Sequence, residues 1–256
     1  MNYLTLVCVE LKKIRHSKIL LILLAPVVIM WLPSLVNSGV SFTTYGIPIT
    51  PEHNFFIQGF MGMVWFMIPA TLIICTVLLS QTERADNGIL KMLALPINRG
   101  ILCLAKFTVL LILPVIQMFM AFGTYYICAF AASKLQDYSF MLEPSYVLCA
   151  IAKFYLAALP MAAVYWMITV LIRTPVFAVG IGLACAVPSV LMINTKYWFL
   201  DPMSYPFYVL MTEYGKAAKG IYETSIDWIP WLPTAILITA VCLILSCIKF
   251  GQAETR

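Results

Sequence analysis

Residues 19–36 read Ile19-Leu-Leu-Ile-Leu-Leu-Ala-Pro-Val-Val-Ile-Met-Trp-Leu-Pro-Ser-Leu-Val36, eighteen positions without a charge. A bilayer crossing takes about 20 predominantly apolar residues in a helix, so this stretch, with its boundary near residue 37, reads as a first span. Working outward, similar runs fall at about 57–79, 107–132, 146–172, 176–194 and 233–248. Within hydrocarbon only helices and closed barrels satisfy their own backbone groups. These runs are too long and too uniformly apolar for the alternating, roughly 10-residue strands of a barrel. The fold class is therefore all-α: a polytopic membrane protein with six transmembrane helices, a single transmembrane domain over 1–256. Composition agrees, because 62% of the 256 residues are apolar and 11% charged, against about 45–50% and 25% in soluble domains. A mean hydropathy of +0.95 also excludes disordered and low-complexity classes.

Charge placement orients the spans. Of the 16 Lys and Arg residues, 11 fall in the segments that an even span count places on the side of both termini: Lys12, Lys13, Arg15, Lys18, Arg84, Lys91, Arg99, Lys106, Arg173, Lys249 and Arg256. Cytoplasmic loops carry the excess of Lys and Arg, so both termini are expected in the cytoplasm of a bacterial plasma membrane protein. The opposite side holds Lys134, Lys153, Lys196, Lys216 and Lys219 with seven of the 11 acids. The net charge of +5 is thus topological and no nucleic-acid partner is expected. The eight cysteines include no C-x-x-C pair and read as small residues of apolar runs; no metal site is expected, the two His being isolated. The first run lacks a small-x-small cleavage pattern and reads as a span rather than a signal peptide.

Residues 1–18 mix Tyr3, Leu4, Leu6, Val7, Leu11 and Ile14 with Glu10, Lys12, Lys13 and Arg15, the pattern of an interfacial amphipathic helix in contact with membrane lipid; an irregular basic flank that only sets topology is the alternative. Pro26, Pro69, Pro114, Pro160 and Pro188 place a proline in each of the first five spans, shaping them or letting them rearrange around a path. Polar residues inside spans mark function or packing. Gln117, central in span three, reads as an interhelical hydrogen-bonding residue. Lys153, two turns inside span four, either snorkels outward or meets an acidic partner or substrate. The outer segment 195–232 holds ten aromatics in 38 residues, which reads as an interfacial belt or as an outer lid handling an amphipathic compound. Gln117, Lys153, Tyr205 and Trp228 are the residues of a candidate substrate path.

The connection 80–105, SQTERADNGILKMLALPINRGILCLA, is not a plain linker. Ile89, Leu90, Met92, Leu93 and Leu95 follow Gly88 in helical spacing before Pro96 ends the run, giving a short amphipathic helix that needs a partner protein or a membrane surface. Glu83, Gly88, Lys91, Leu93, Pro96, Ile97, Arg99 and Lys106 follow the pattern E-x(4)-G-x-x-K-x-L-x-x-P-[IV]-x-R-x(6)-K, and the sequence here resembles type-2 ABC exporter permeases. In that family the segment is a coupling helix docking on an ATP-binding subunit, so the resemblance implies coupling roles for Glu83, Gly88, Leu90, Lys91, Leu93, Pro96 and Arg99. It implies two copies of the ATP-binding subunit and a second permease, a related heteromeric subunit or otherwise a second copy of this chain. It further implies no cofactor on this chain, ATP and Mg being held by the partner ATPase. The short form without a large outer domain is most similar to the membrane subunits of lantibiotic-immunity and bacitracin-resistance exporters of Gram-positive bacteria, which implies an antimicrobial peptide or other hydrophobic substrate.

Three function classes follow. The first is the permease subunit of an exporter. The second is a non-transporting scaffold or sensor that keeps the docking helix. The third is an intramembrane enzyme, for which Asp and Glu are absent from the six runs and no H-E-x-x-H helix occurs. The chain also lacks a phosphate loop, since Gly215-Lys216 has neither the upstream glycine nor a following hydroxyl residue.

Overall fold

A computed structural model describes residues 3–15, 19–44, 46–84, 98–172, 174–219 and 225–250. No strand occurs among them, and six helical segments are long and apolar enough to cross a membrane. In chain order the helices are α1 (Tyr3–Arg15), α2 (Ile19–Val36), α3 (Pro51–Gly62), α4 (Ile68–Arg84), α5 (Arg99–Gln136), α6 (Pro144–Ala157), α7 (Leu159–Leu171), α8 (Pro175–Ala186), α9 (Ser189–Met192), α10 (Tyr205–Ala217) and α11 (Trp228–Lys249). Helices α3 and α4 join into one span, Pro51–Gln81, as do α6 and α7, Pro144–Leu171, and α8 and α9, Pro175–Met192.

Helix boundaries differ from the apolar runs for local reasons. Pro51, Pro144 and Pro175 each occupy the first helical turn, where a missing N–H costs nothing and the fixed φ suits a helix start. Span two therefore begins six residues before the apolar run, through a polar turn containing Glu52 and His53. Helix α5 begins at Arg99 because the Asn98 side chain accepts from the Gly100 N–H at 2.9 Å, and it stops where Asp137 turns left-handed at φ 49°. Its 38 residues make a rod of roughly 57 Å, longer than the hydrocarbon core of about 30 Å. The last span, Trp228–Lys249, begins before 233 and carries a non-helical residue, Ile229, next to its start, and within 195–232 lies the 13-residue α10.

The five prolines play three parts. Pro26 and Pro114 lie inside continuous helices. Pro69 follows a π turn at Met63–Met67, whose wider ring makes room for a residue that cannot donate. Pro160 opens α7 after a break at Ala158, and Pro188 lies in the break between α8 and α9. Spans four and five are thus each interrupted once by a turn.

The windows of Pro51–Gln81, Arg99–Gln136 and Pro144–Leu171 are 61%, 50% and 61% buried, against 22% for each of the other three, so spans two, three and four form the centre. Helix α4 packs against α5, α7 and α8; α2 lies on α5, and α11 on α7. Fully buried Trp31 sits among Phe55, Phe60 and Tyr125, with ring centroids 5.2 to 5.7 Å away. Gly59 permits that approach, since a Cβ there would stand 2.4 Å from Trp31 Cζ3; small residues let membrane helices come close in this way. Gln117 Nε2 donates to Leu23 O and Thr71 Oγ1, both at 3.2 Å, tying α5 to α2 and α4 as the sequence predicts.

Candidate functional site

Two regions collect charge inside this apolar bundle. The first is at the loop end, where residues 84 and 99 and both described termini lie: Cys247 Sγ donates to Gly100 O, and Phe250 stacks on Trp166. Helix α1 lies along the start of α5. The stripe Leu6, Val7 and Ile14 is buried, while Leu4 and Lys12 face outward. Glu10 falls on the buried stripe at 4% exposure. Its Oε2 accepts from Lys106 Nζ at 2.8 Å and its Oε1 from Lys13 Nζ at 2.6 Å. The Tyr3 hydroxyl donates to Leu104 O and hydrogen-bonds the Thr108 hydroxyl. Burial by itself would raise the Glu10 carboxyl, but the ammonium of Lys106, with Lys13 beside it, outweighs that and holds it below the ordinary carboxylate value.

One side of α1, with Leu6, Val7, Glu10 and Ile14, is thus buried where the helix lies along α5, and Lys12 on the other side stays exposed. The acid on the buried side answers Lys106, which is 1% exposed and whose charge needs an acid wherever the chain buries it. Glu83 falls in the last turn of α4, Arg15 ends α1, and Arg99 is the exposed first residue of α5. Gly88, Leu90, Lys91, Leu93 and Pro96 lie outside the described residues.

The second region is at the far end. A groove of about 570 Å³ runs between span four and span six, with Lys153, Pro160, Val209, Trp228, Trp231 and Leu243 among its lining residues. Lys153 Nζ donates to Glu213 Oε1 at 2.9 Å, and Lys216 Nζ reaches the same oxygen at 3.0 Å from one turn along α10. Glu213 is 2% exposed, yet its two lysine side chains are 38% and 43% exposed. Here too burial would raise the carboxyl and the two lysines outweigh it, holding Glu213 below its ordinary value. Above the lysine an aromatic cap forms: Trp198 stacks on Tyr208 at 3.9 Å, and Trp231 meets Tyr205 at 5.7 Å and Trp228 at 5.8 Å.

Of the four candidate path residues, Lys153 and Trp228 therefore share one groove. Gln117 is buried in the centre, between α2, α4 and α5. Tyr205 is fully buried in the cap and donates to Phe199 O. The aromatic segment is part belt and part cap, since Tyr197 and Trp228 are more than half exposed whereas Tyr205, Tyr208 and Trp231 are buried. Glu213 and Trp231 are the residues that the sequence reading passed over. Glu213 had one legible signal: a lysine inside an apolar span calls for an acid, and Glu213 is an acid followed at i+3 by a second lysine.

A family model described as ABC-2 family transporter protein matches residues 6–189, a stretch that runs from α1 into the fifth span. No curated protein matches the sequence.

Proposed function

Since the chain belongs to the ABC-2 family of transporter proteins, we propose that it is the permease subunit of an ATP-driven exporter that moves a hydrophobic or amphipathic compound out of the membrane. Permeases of this family are membrane subunits without an ATPase site of their own, and they partner with an ATP-binding subunit. The observation that carries the reading is the family match over 184 residues, which includes the connection between α4 and α5. ATP and Mg are then held by two copies of the ATP-binding subunit, and a second permease completes the path, a related heteromeric subunit ahead of a second copy of this chain. The distribution of Lys and Arg supports cytoplasmic termini in a bacterial plasma membrane. The lack of a large outer domain and the 83–106 pattern support an antimicrobial peptide as the exported compound, in lantibiotic self-immunity or resistance.

Mechanically, closure of the ATP-binding subunits pulls on residues 83–99. The pull enters α5 at Arg99 and reaches α1 through the Lys106–Glu10 contact, while the breaks at Ala158 and Pro188 give spans four and five a place to bend. Vesicles carrying the complex should lose compound-stimulated ATPase when Glu83, or Leu90 with Leu93, is replaced by alanine, with membrane insertion retained. ATPase coupling that survives both changes would overturn the docking role of the segment.

A further inference from the structure

The groove between spans four and six has a shape and a chemistry that exceed what packing requires. On α11 its helical lining runs from Trp231 to Leu243, about 18 Å along a helix axis beyond the non-helical Ile229, which carries it from the far end of the span past the middle of a hydrocarbon core about 30 Å thick. Its flanks are open sideways, with Leu156 63% and Ile236 61% exposed, on helices long and apolar enough to lie in lipid. Its volume of about 570 Å³ falls within the range of roughly 300–1,000 Å³ typical of ligand pockets.

The cation of the lining sits at one end, while further along the trough the Thr239 hydroxyl is spent on Ala235 O at 2.7 Å. Lys153 is the charged residue of the lining, among the described residues, and no carboxylate joins it. Asp227 lies in sequence between lining residues Ile226 and Trp228 but is not itself part of the lining. Glu213 beneath the lysine shares one oxygen between Lys153 and Lys216, so the cluster keeps one positive charge, and its cations are the exposed members. Trp231, 7% exposed, lines the same end, and its indole N–H has no hydrogen-bond partner, a condition that buried donors seldom tolerate. An apolar trough one leaflet deep, headed by an ammonium, is complementary to an acyl chain that carries an anionic head.

We propose that this groove binds an anionic phospholipid of the surrounding bilayer, its chain along α11 and its phosphate against Lys153 beside Trp231. Binding of a bilayer lipid here requires neither the exported compound nor ATP, so its test stands apart from that of the transport reading. The full-length chain in mixed micelles of equal phosphatidylglycerol and phosphatidylcholine is examined by native mass spectrometry. One lysine near a membrane surface is worth a factor of about five for an anionic lipid, and phosphatidylglycerol adducts should be enriched by that factor in the unchanged protein. Lys153→Met should bring the two lipids to parity. Ala240→Phe, which fills the trough and leaves the lysines in place, should remove adducts of both, and it keeps the test valid if the lysine variant does not fold. Glycerol phosphate, a head without a chain, should not compete at millimolar concentration. Equal retention of the two lipids by the unchanged protein, enrichment that survives Ala240→Phe, or stronger retention of a cationic amphiphile such as dodecyltrimethylammonium would each overturn the proposal.

Discussion

The two charged clusters are built alike and placed at opposite ends. Each has a buried carboxylate on a short helix, Glu10 on α1 or Glu213 on α10, holding a lysine three residues further along and a second lysine from a spanning helix. They differ in the second lysine. Lys106 is 1% exposed, whereas the Lys153 side chain is 38% exposed and lines a groove. A closed pair of the first kind has no face left for a ligand and joins two helices into one body. An open pair of the second kind holds an ammonium in position and still offers it outward. The same three-residue chemistry thus makes a strut where α1 meets α5, and a recognition group where α10 meets span four.

The sharpest way to break this comparison is to remove the spanning lysine at each end. Lys106→Ala leaves the Glu10 carboxylate buried beside Lys13 alone, and breaking a buried pair in this way costs about 3–5 kcal/mol. The expected result is a large fall in thermal unfolding temperature in detergent, with loss of folded protein at 37 °C. Replacing both partners, as in Glu10→Leu with Lys106→Met, should recover most of that loss, because an apolar pair leaves no orphaned charge. Equal instability in the single and double variants would show that the strut acts through packing rather than charge.

The sequence alone made the bundle legible because the relevant physics is local to each run. Eighteen uncharged residues at 19–36 can satisfy their backbone in lipid only as a helix or in a closed barrel, and the run is too long and too uniformly apolar for a barrel strand. The ends of spans two and three were less legible, since Pro51 with Glu52 and Asn98 with Gly100 begin helices in polar stretches that a hydropathy reading excludes. The clusters were least legible of all. Glu10 lies 96 residues from Lys106, and Glu213 lies 60 from Lys153, and no periodicity encodes contacts that only tertiary packing creates. What could be read was the need: a lysine inside an apolar helix requires a partner, though not which one. The groove was likewise visible only as its separate residues Lys153 and Trp228.

At the far end, Lys153→Met should cost far less than Lys106→Ala, about 1 kcal/mol or below, because the lysine is partly solvated and Lys216 still serves Glu213. The measurement is again thermal unfolding in one detergent, with Lys106→Ala alongside. A Lys153→Met loss as large as that of Lys106→Ala would erase the distinction between strut and recognition group.

The smallest effect concerns acid. Both carboxyls lie below their ordinary value of 4.5 in the folded protein, so each contributes stability that is fully present above that value and is lost as pH falls through the folded value. Unfolding temperature should therefore be flat from neutrality to about pH 5 and fall below it. The two ends separate in the variants. Glu213→Gln keeps its hydrogen-bonding reach but no longer titrates, and leaves a lysine pair that can turn to solvent, so its acid slope should shrink with little change at neutral pH. Glu10→Gln removes a similar part of the slope but leaves the Lys106 ammonium 1% exposed and facing a neutral amide, which should also lower stability at neutral pH. If instead the two variants match at neutral pH, Lys106 is no more dependent on its carboxylate than Lys153 is, and the closed and open clusters are energetically the same.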